Sequence, residues 1–154
     1  MMHQKKGQGS FEYISIVAVA LLLIIPSTVL FLNYSQSTGD EVLSSQFNFI
    51  GNNIVSKSEE MFVVGKDSWS TVEVNLPNSF QNATVVNQED LVFTYQSRRG
   101  LSQAVFFTTR FNITTLNASN EPCTETICDI DLQQGPNSVL VRSLGDIVVL
   151  ERRN

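Results

Sequence analysis

The stretch YISIVAVALLLIIPSTVLFL, from Tyr13 to Leu32, decides the fold of this chain. Sixteen of its 20 residues are apolar, and none of the 27 positions from 13 to 39 is charged. An α-helix rises about 1.5 Å per residue, so 20 residues measure about 30 Å, the thickness of the hydrocarbon core of a bilayer. The stretch therefore predicts a membrane-spanning helix and argues against a simple soluble cytoplasmic domain.

The charges before this stretch predict its orientation. Lys5 and Lys6 precede the apolar residues with no acidic residue ahead of them. By the positive-inside rule the amino end stays in the cytoplasm, and the chain beyond residue 33 lies outside the cell. A cleaved secretory signal has an apolar core of only about 7 to 15 residues, shorter than this one.

A second helical pattern follows the apolar stretch without a break. Apolar or small residues recur at alternating spacings of four and three, which places them on one helix face. They are Leu43, Phe47, Ile50, Ile54, Ser58 and Met61. We predict one helix from about Ser10 to Val64, ended by Gly65, with a kink or partial melting near Pro26. Gly39 and Gly51 are further weak positions, at about 1 kcal/mol each relative to alanine.

Beyond Asp67 the hydrophobic period changes from about 3.6 to 2, which is typical of β-strands. Turn residues separate the runs, among them Gly135-Pro136-Asn137 and Gly145-Asp146. The predicted strands are Thr71–Leu76, Thr84–Val86, Leu91–Gln96, Ala104–Phe111, Ser138–Arg142 and Ile147–Leu150. Asp129 and Asp131 also alternate with apolar residues, as on the outward face of a strand. Of the adjacent pair Phe106 and Phe107, one side chain must point away from the core.

These patterns predict an α+β fold: a long amino-terminal helix, membrane-spanning and then amphipathic, packed against a small carboxyl-terminal antiparallel β-sheet. The predicted divisions are a leader at 1–7, the helix at 8–65 with the membrane segment at 13–32, and a β-rich head at 67–154. The 154 residues allow about one head domain.

Composition restricts the function. The net charge is −5 and the basic residues are scattered, which argues against nucleic acid as a partner. The one histidine, His3, precedes the membrane segment, so histidine-dependent catalysis or a histidine-ligated metal in the head is excluded. Lys66-Asp67-Ser68 and Glu89-Asp90 are interpreted as solvated turns and not as catalytic or calcium-binding clusters. We therefore predict no enzyme activity, no cofactor and no metal site.

The two cysteines, Cys123 and Cys128, lie close together in the sequence PCTETICD. Three states are compatible with this spacing: a small disulfide, two free buried thiols, or a metal site. Zinc would need two further soft or imidazole ligands that the neighbouring sequence lacks, so the disulfide is the favoured interpretation.

The string KKGQGSFEY at positions 5–13, called the boundary string below, directly precedes the apolar helix. A carboxylate at the edge of a membrane segment is costly unless a cation pairs with it, and no basic residue follows Glu12 until Lys57. The string resembles the class III signal peptides of archaeal type IV pilin-like proteins, in which Gly precedes Gln, with Ser and Glu two and four residues beyond. Gly7, Gln8, Ser10 and Glu12 match that pattern.

The resemblance implies a structural subunit of a pilus-like surface filament. A prepilin peptidase would cut between Gly7 and Gln8, and an assembly platform with its ATPase would insert the subunit. Ser10 and Glu12 would act in processing or assembly. The precursor would reside in the bilayer, and residues 8–61 would join copies of the chain into an extracellular helical filament. The role, whether adhesion, motility or secretion, is not implied.

Two alternatives remain open for the boundary string, a plain signal anchor and a conventional cleaved secretion signal. The alternative function is a monomeric membrane-anchored binding or adhesion protein, whose helix serves only as a tether. For an exported chain, Asn82, Asn112 and Asn117 lie in sequons and are candidate N-glycosylation sites. Random occurrence of such sequons is expected in a sequence rich in Asn, Ser and Thr.

Overall fold

The computed structural model describes residues 8–98, 100–108, 110–117 and 120–153, without the side chains of 8–11 and 35–38. Within these residues, one helix, α1, precedes eight strands. The chain divides into two compact units, one ending at Gly39 and the other beginning at Asp40. The elements are α1 (Gln8–Val64), β1 (Trp69–Leu76), β2 (Phe80–Val86), β3 (Asp90–Ser97), β4 (Gly100–Phe107), β5 (Asn112–Thr115), β6 (Ile127–Ile130), β7 (Gly135–Ser143) and β8 (Ile147–Arg153).

Helix α1 is continuous over its whole length and contains Pro26. The predicted melting at this proline is therefore wrong. Immediately after it, the Ser27 hydroxyl donates to the Leu23 carbonyl at 2.7 Å and the Thr28 hydroxyl to the Ile24 carbonyl at 2.9 Å. Such bonds to the preceding turn are a known way for these side chains to be accommodated inside a helix.

The helix ends where the sequence predicts. Gly65 has φ +108°, a conformation that costs glycine little, and its N–H donates to the Met61 carbonyl at 3.1 Å. The Ser68 hydroxyl also donates to Met61 at 2.7 Å. The last four carbonyls of a helix have no partner within the helix, and bonds of this kind satisfy them. This glycine–serine turn therefore closes α1.

The amphipathic half of α1 belongs to the same compact unit as the strands. Of the predicted stripe, Leu43 is partly buried and the other five residues are buried, Phe47 completely. Phe47 stacks on Tyr95 of β3 with ring centroids 4.3 Å apart, and it also contacts Phe80 and Phe93. The prediction that this stripe packs against the β-sheet is confirmed.

The strands form two four-stranded sheets, in the orders β1-β7-β8-β5 and β4-β3-β2-β6. All pairings are antiparallel except β5 with β8, which is parallel. Both sheets and the helix contribute side chains to one core. The predicted α+β class, a long helix packed against a mainly antiparallel β structure, is confirmed; the strands are divided between two sheets and include one parallel pair.

Several strand boundaries differ from the predictions. The run predicted at 104–111 is shifted, because β4 covers Gly100–Phe107 and Phe111 leaves the sheet to stack on Phe62 of the helix at 5.3 Å. Strand β2 begins at Phe80, four residues earlier than predicted. Strand β5 was not predicted, and β6 only through the alternation near Asp129, which is exposed as expected.

The Gly135-Pro136-Asn137 sequence is a strand start and not a separator. Pro136 pairs with Asn75 of β1, while β8 joins β7 only from Ser138 onward. A strand tolerates proline where it has a neighbour on only one side. The Asn137 side chain is 4% exposed and bonds to the main chain of Gln133 and Gly135.

Candidate functional site: an exposed apolar helix

The apolar half of α1 exposes its side chains on every face. The large apolar residues from Tyr13 to Leu32 have exposed fractions between 39% and 71%. An 18-residue window of the helix has mean hydropathy 2.7, and none of it is buried. Apolar surface of this extent is unfavourable in water. This helix is long and apolar enough to span a membrane.

The internal hydrogen bonding of the segment suits a medium without water. A helix satisfies its main-chain groups within itself, and hydrocarbon offers no alternative partners. The hydroxyls of Ser27 and Thr28 are satisfied in the same way by carbonyls one turn back. Between Glu12 and Asp40 there is no charge to neutralise. The segment can therefore enter lipid, or the apolar centre of a helix bundle, without unpaired charges.

The structure places the predicted processing residues at the start of α1. Gly7, with the rest of the leader, lies outside the described residues. Gln8 is the first helical residue, and Ser10 lies in the first turn. Glu12 is helical and exposed, directly before the apolar stretch. Gln8, Ser10 and Glu12 thus lie together at the amino-terminal end of α1, next to its apolar stretch.

Cys123 and Cys128 are joined by a disulfide. The free-thiol and metal alternatives are therefore not the state seen in this structure. The bridged loop is held against β5, because the Cys123 N–H donates to the Thr115 carbonyl at 2.8 Å and the Thr114 hydroxyl donates to the Cys123 carbonyl at 2.6 Å. This pair has a structural position beside a sheet edge.

The three sequon asparagines of the head are exposed. Asn82 lies in β2, Asn112 begins β5, and Asn117 lies in the turn before the disulfide loop. The side chain of Asn117 accepts a hydrogen bond from the Glu121 N–H at 3.0 Å. Their exposure makes all three compatible with a glycan, and their modification remains a prediction.

Sequence reasoning missed a second exposed apolar region, on the head. Phe106 is 7% exposed and Phe107 is 69% exposed, which confirms that the pair points to opposite sides. Phe107 shares its face of β4 with Leu101 and Val105, which are 70% and 41% exposed. The available signal was the run GLSQAVFF, which combines strand propensity with a complete absence of charge.

Among the described residues, no group of three or more His, Cys, Asp or Glu side chains is placed to hold a metal ion. Comparisons with models of protein families, with curated proteins and with solved structures find no match to this chain. The features of this chain that bear on its function are therefore the helix, the boundary string and the surfaces of the head.

Proposed function

We propose that this protein is a pilin-like structural subunit of an archaeal type IV pilus-like surface filament. The observation that carries the proposal is the helix α1, whose apolar half is exposed all round while its other half is built into a β-rich head. A lone copy leaves the apolar half without protein neighbours. Lipid would cover it in the precursor, and the helices of other copies would cover it in the filament.

The boundary string supplies the switch between these two states. Cutting between Gly7 and Gln8 would create a cationic amine at Gln8 and remove Lys5 and Lys6, the residues that hold the amino end in the cytoplasm. The formal charge would change from −5 to −7, because 10 basic residues become 8 against 15 acidic ones. The precursor would thereby lose its positive anchor.

Glu12 would then set the register between neighbouring copies. Four residues separate Gln8 from Glu12, so they lie about 6 Å apart along a helix axis. A parallel neighbour displaced by about one turn would place its new amine level with this carboxylate. Leaving one member of a desolvated pair alone costs about 3 to 5 kcal/mol, which penalises other registers.

The partners would be other copies of this chain through residues 8–61, a prepilin peptidase, and an assembly platform with its ATPase. The head would lie outside the cell, and no enzyme activity is proposed. In a monomeric membrane-anchored binding protein, lipid would cover the apolar half of α1 equally well, because the helix would stay in the bilayer permanently. The two functions differ in the fate of the leader and in polymerisation.

Amino-terminal sequencing and intact mass of the protein from native cells test the proposal. We expect a chain that begins at Gln8, and filaments in sheared surface material under the electron microscope. Gly7→Val should block cleavage, since a branched side chain replaces glycine at the scissile bond, whereas Gln4→Ala in the same leader should not. An intact Met1 start without filaments would support the membrane-anchored alternative.

A further inference from the structure

Strand β4 differs from the other edge strands of the head. The two sheets end in four edge strands, β1, β5, β4 and β6. An open sheet edge presents unpaired N–H and C=O groups that pair readily with another chain, and proteins protect such edges with charge, short length or cover. The protection of each edge can therefore be compared within this one head.

Three of the four edges carry such protection. Strand β1 has the exposed acid Glu73 near its centre, and β6 is four residues long with the exposed acid Asp129. Strand β5 is also four residues long, and it is covered by main-chain bonds from Ile113 to Gln88 and from Cys123 to Thr115. These edges are poor templates for a further strand.

Strand β4 has none of these protections. It is eight residues long, Gly100–Phe107, and contains no charged residue and no proline. Its main chain pairs with β3 and makes no other main-chain hydrogen bond within the described ranges. The outward side chains Leu101, Val105 and Phe107 add an exposed apolar surface beside the open edge. Within the described ranges, the main-chain edge of β4 that faces away from β3 thus lacks a main-chain partner in a single copy, and the three outward apolar side chains are left exposed.

We infer that β4 is a self-association edge, which pairs antiparallel with β4 of a second copy to form one continuous eight-stranded sheet. The occupant must itself be an uncharged strand with an open edge, and within the described chain β4 is the strand that meets both conditions. Two-fold pairing places the same patch on both copies. In registers that keep these side chains on the same face of the joined sheet, Leu101, Val105 and Phe107 of the two copies form one apolar surface.

This contact is separate from polymerisation through α1. A two-fold interface closes at two copies and does not propagate, whereas a filament needs head-to-tail contacts. Pairing at β4 would therefore join two membrane-anchored precursors, or link two filaments side by side. It stands independently of the proposed cleavage at Gly7.

Site-specific crosslinking of the full chain in detergent micelles tests the inference. Gln103 is exposed near the middle of β4, so a Gln103→Cys variant should give a covalent dimer with a short thiol-specific crosslinker. Glu73→Cys, on the charged edge of β1, is the matched control and should give none above background. Equal yields from both variants, or no dimer from Gln103→Cys, would overturn the inference.

A charge placed on the edge should remove the dimer. Val105→Lys added to Gln103→Cys should abolish crosslinking, while Glu73→Lys added to it should not. Leu101→Lys, at a more exposed position, repeats the test if Val105→Lys lowers the Tm. A crosslink that survives both lysines would overturn the inference.

Because the crosslink does not require cleavage, a chain that keeps its leader yet crosslinks at Gln103 would sink the filament proposal alone.

Discussion

The ring of Phe106 in β4 packs directly on the backbone of Gly51 in α1. A β-carbon at position 51 would lie 2.2 Å from ring atoms Cε2 and Cζ, far inside van der Waals contact. Phe106 is 7% exposed and is held edge-on against Phe93, with ring centroids 5.9 Å apart. The sequence marks Gly51 as a weak helical residue, and its position in the core explains why a glycine stands there.

Gly51→Ala should therefore destabilise the head, although alanine is the better helix former by about 1 kcal/mol. Overpacking a core costs about 1 to 3 kcal/mol, which should outweigh that gain. Thermal unfolding measures the difference, with Asn52→Ala at the exposed neighbouring position as the control. Adding Phe106→Leu should recover part of the loss. Equal stability of the two alanine variants would show that the helix and β4 are not in close contact.

Two buried residues of the same helix stripe should respond very differently to alanine. Phe47→Ala removes a fully buried ring that contacts three aromatic residues, and we expect a loss of about 3 to 5 kcal/mol. Ser58→Ala removes a hydroxyl bonded only to the Ile54 carbonyl one turn back, at 2.8 Å, and should cost less than about 1 kcal/mol. Chemical denaturation distinguishes them, and comparable losses would contradict this packing.

Loss of the disulfide should lower the stability of the head moderately. Cys123 and Cys128 are five positions apart, and closing so short a loop in the unfolded chain is worth about 2 kcal/mol in the chain-entropy account. The double variant Cys123→Ala with Cys128→Ala should lose about that amount in denaturant unfolding. Wild-type protein under reducing conditions should match the variant. A variant as stable as oxidised wild type would mean that the bridge does not constrain the unfolded chain.

Neutralising Glu12 should separate assembly from processing. Glu12→Gln removes the proposed partner of the Gln8 amine, so cleaved subunits should accumulate without filaments. Glu41→Gln, an exposed acid on the same helix, should leave filaments intact. Electron microscopy and amino-terminal sequencing provide the two readouts. Normal filaments from Glu12→Gln would refute the role of this carboxylate in register.

Helix α1 was predictable because its signals are local. The stripe from Leu43 to Met61 repeats at helical spacing, and Gly65 supplies the positive φ at which the helix ends. The continuity through Pro26 was not predictable in the same way. It depends on the surrounding helix being long enough to tolerate one lost main-chain bond, while Ser27 and Thr28 bond back to carbonyls of the previous turn.

The sheets were harder to predict because their pairing is not local. Strand β5 has four residues, and its parallel partner β8 begins more than 30 residues later, so no hairpin signal marks it. Gly135 and Pro136 have turn chemistry, yet pairing with β1 overrides that local preference. The processing residues were proposed from the boundary string alone. The open edge of β4 could be recognised only from the order of the strands in the sheet.

The placement of residues 40–64 within the head also determines how the protein bears load. The stripe from Leu43 to Met61 is itself part of the core. A pull on the start of this segment therefore reaches the sheets through the buried side chains of Phe47, Ile50 and Ile54. Those side chains would have to slide past the sheet together before the head could open. Tension is thus shared among several buried contacts, a property that would suit the proposed surface filament.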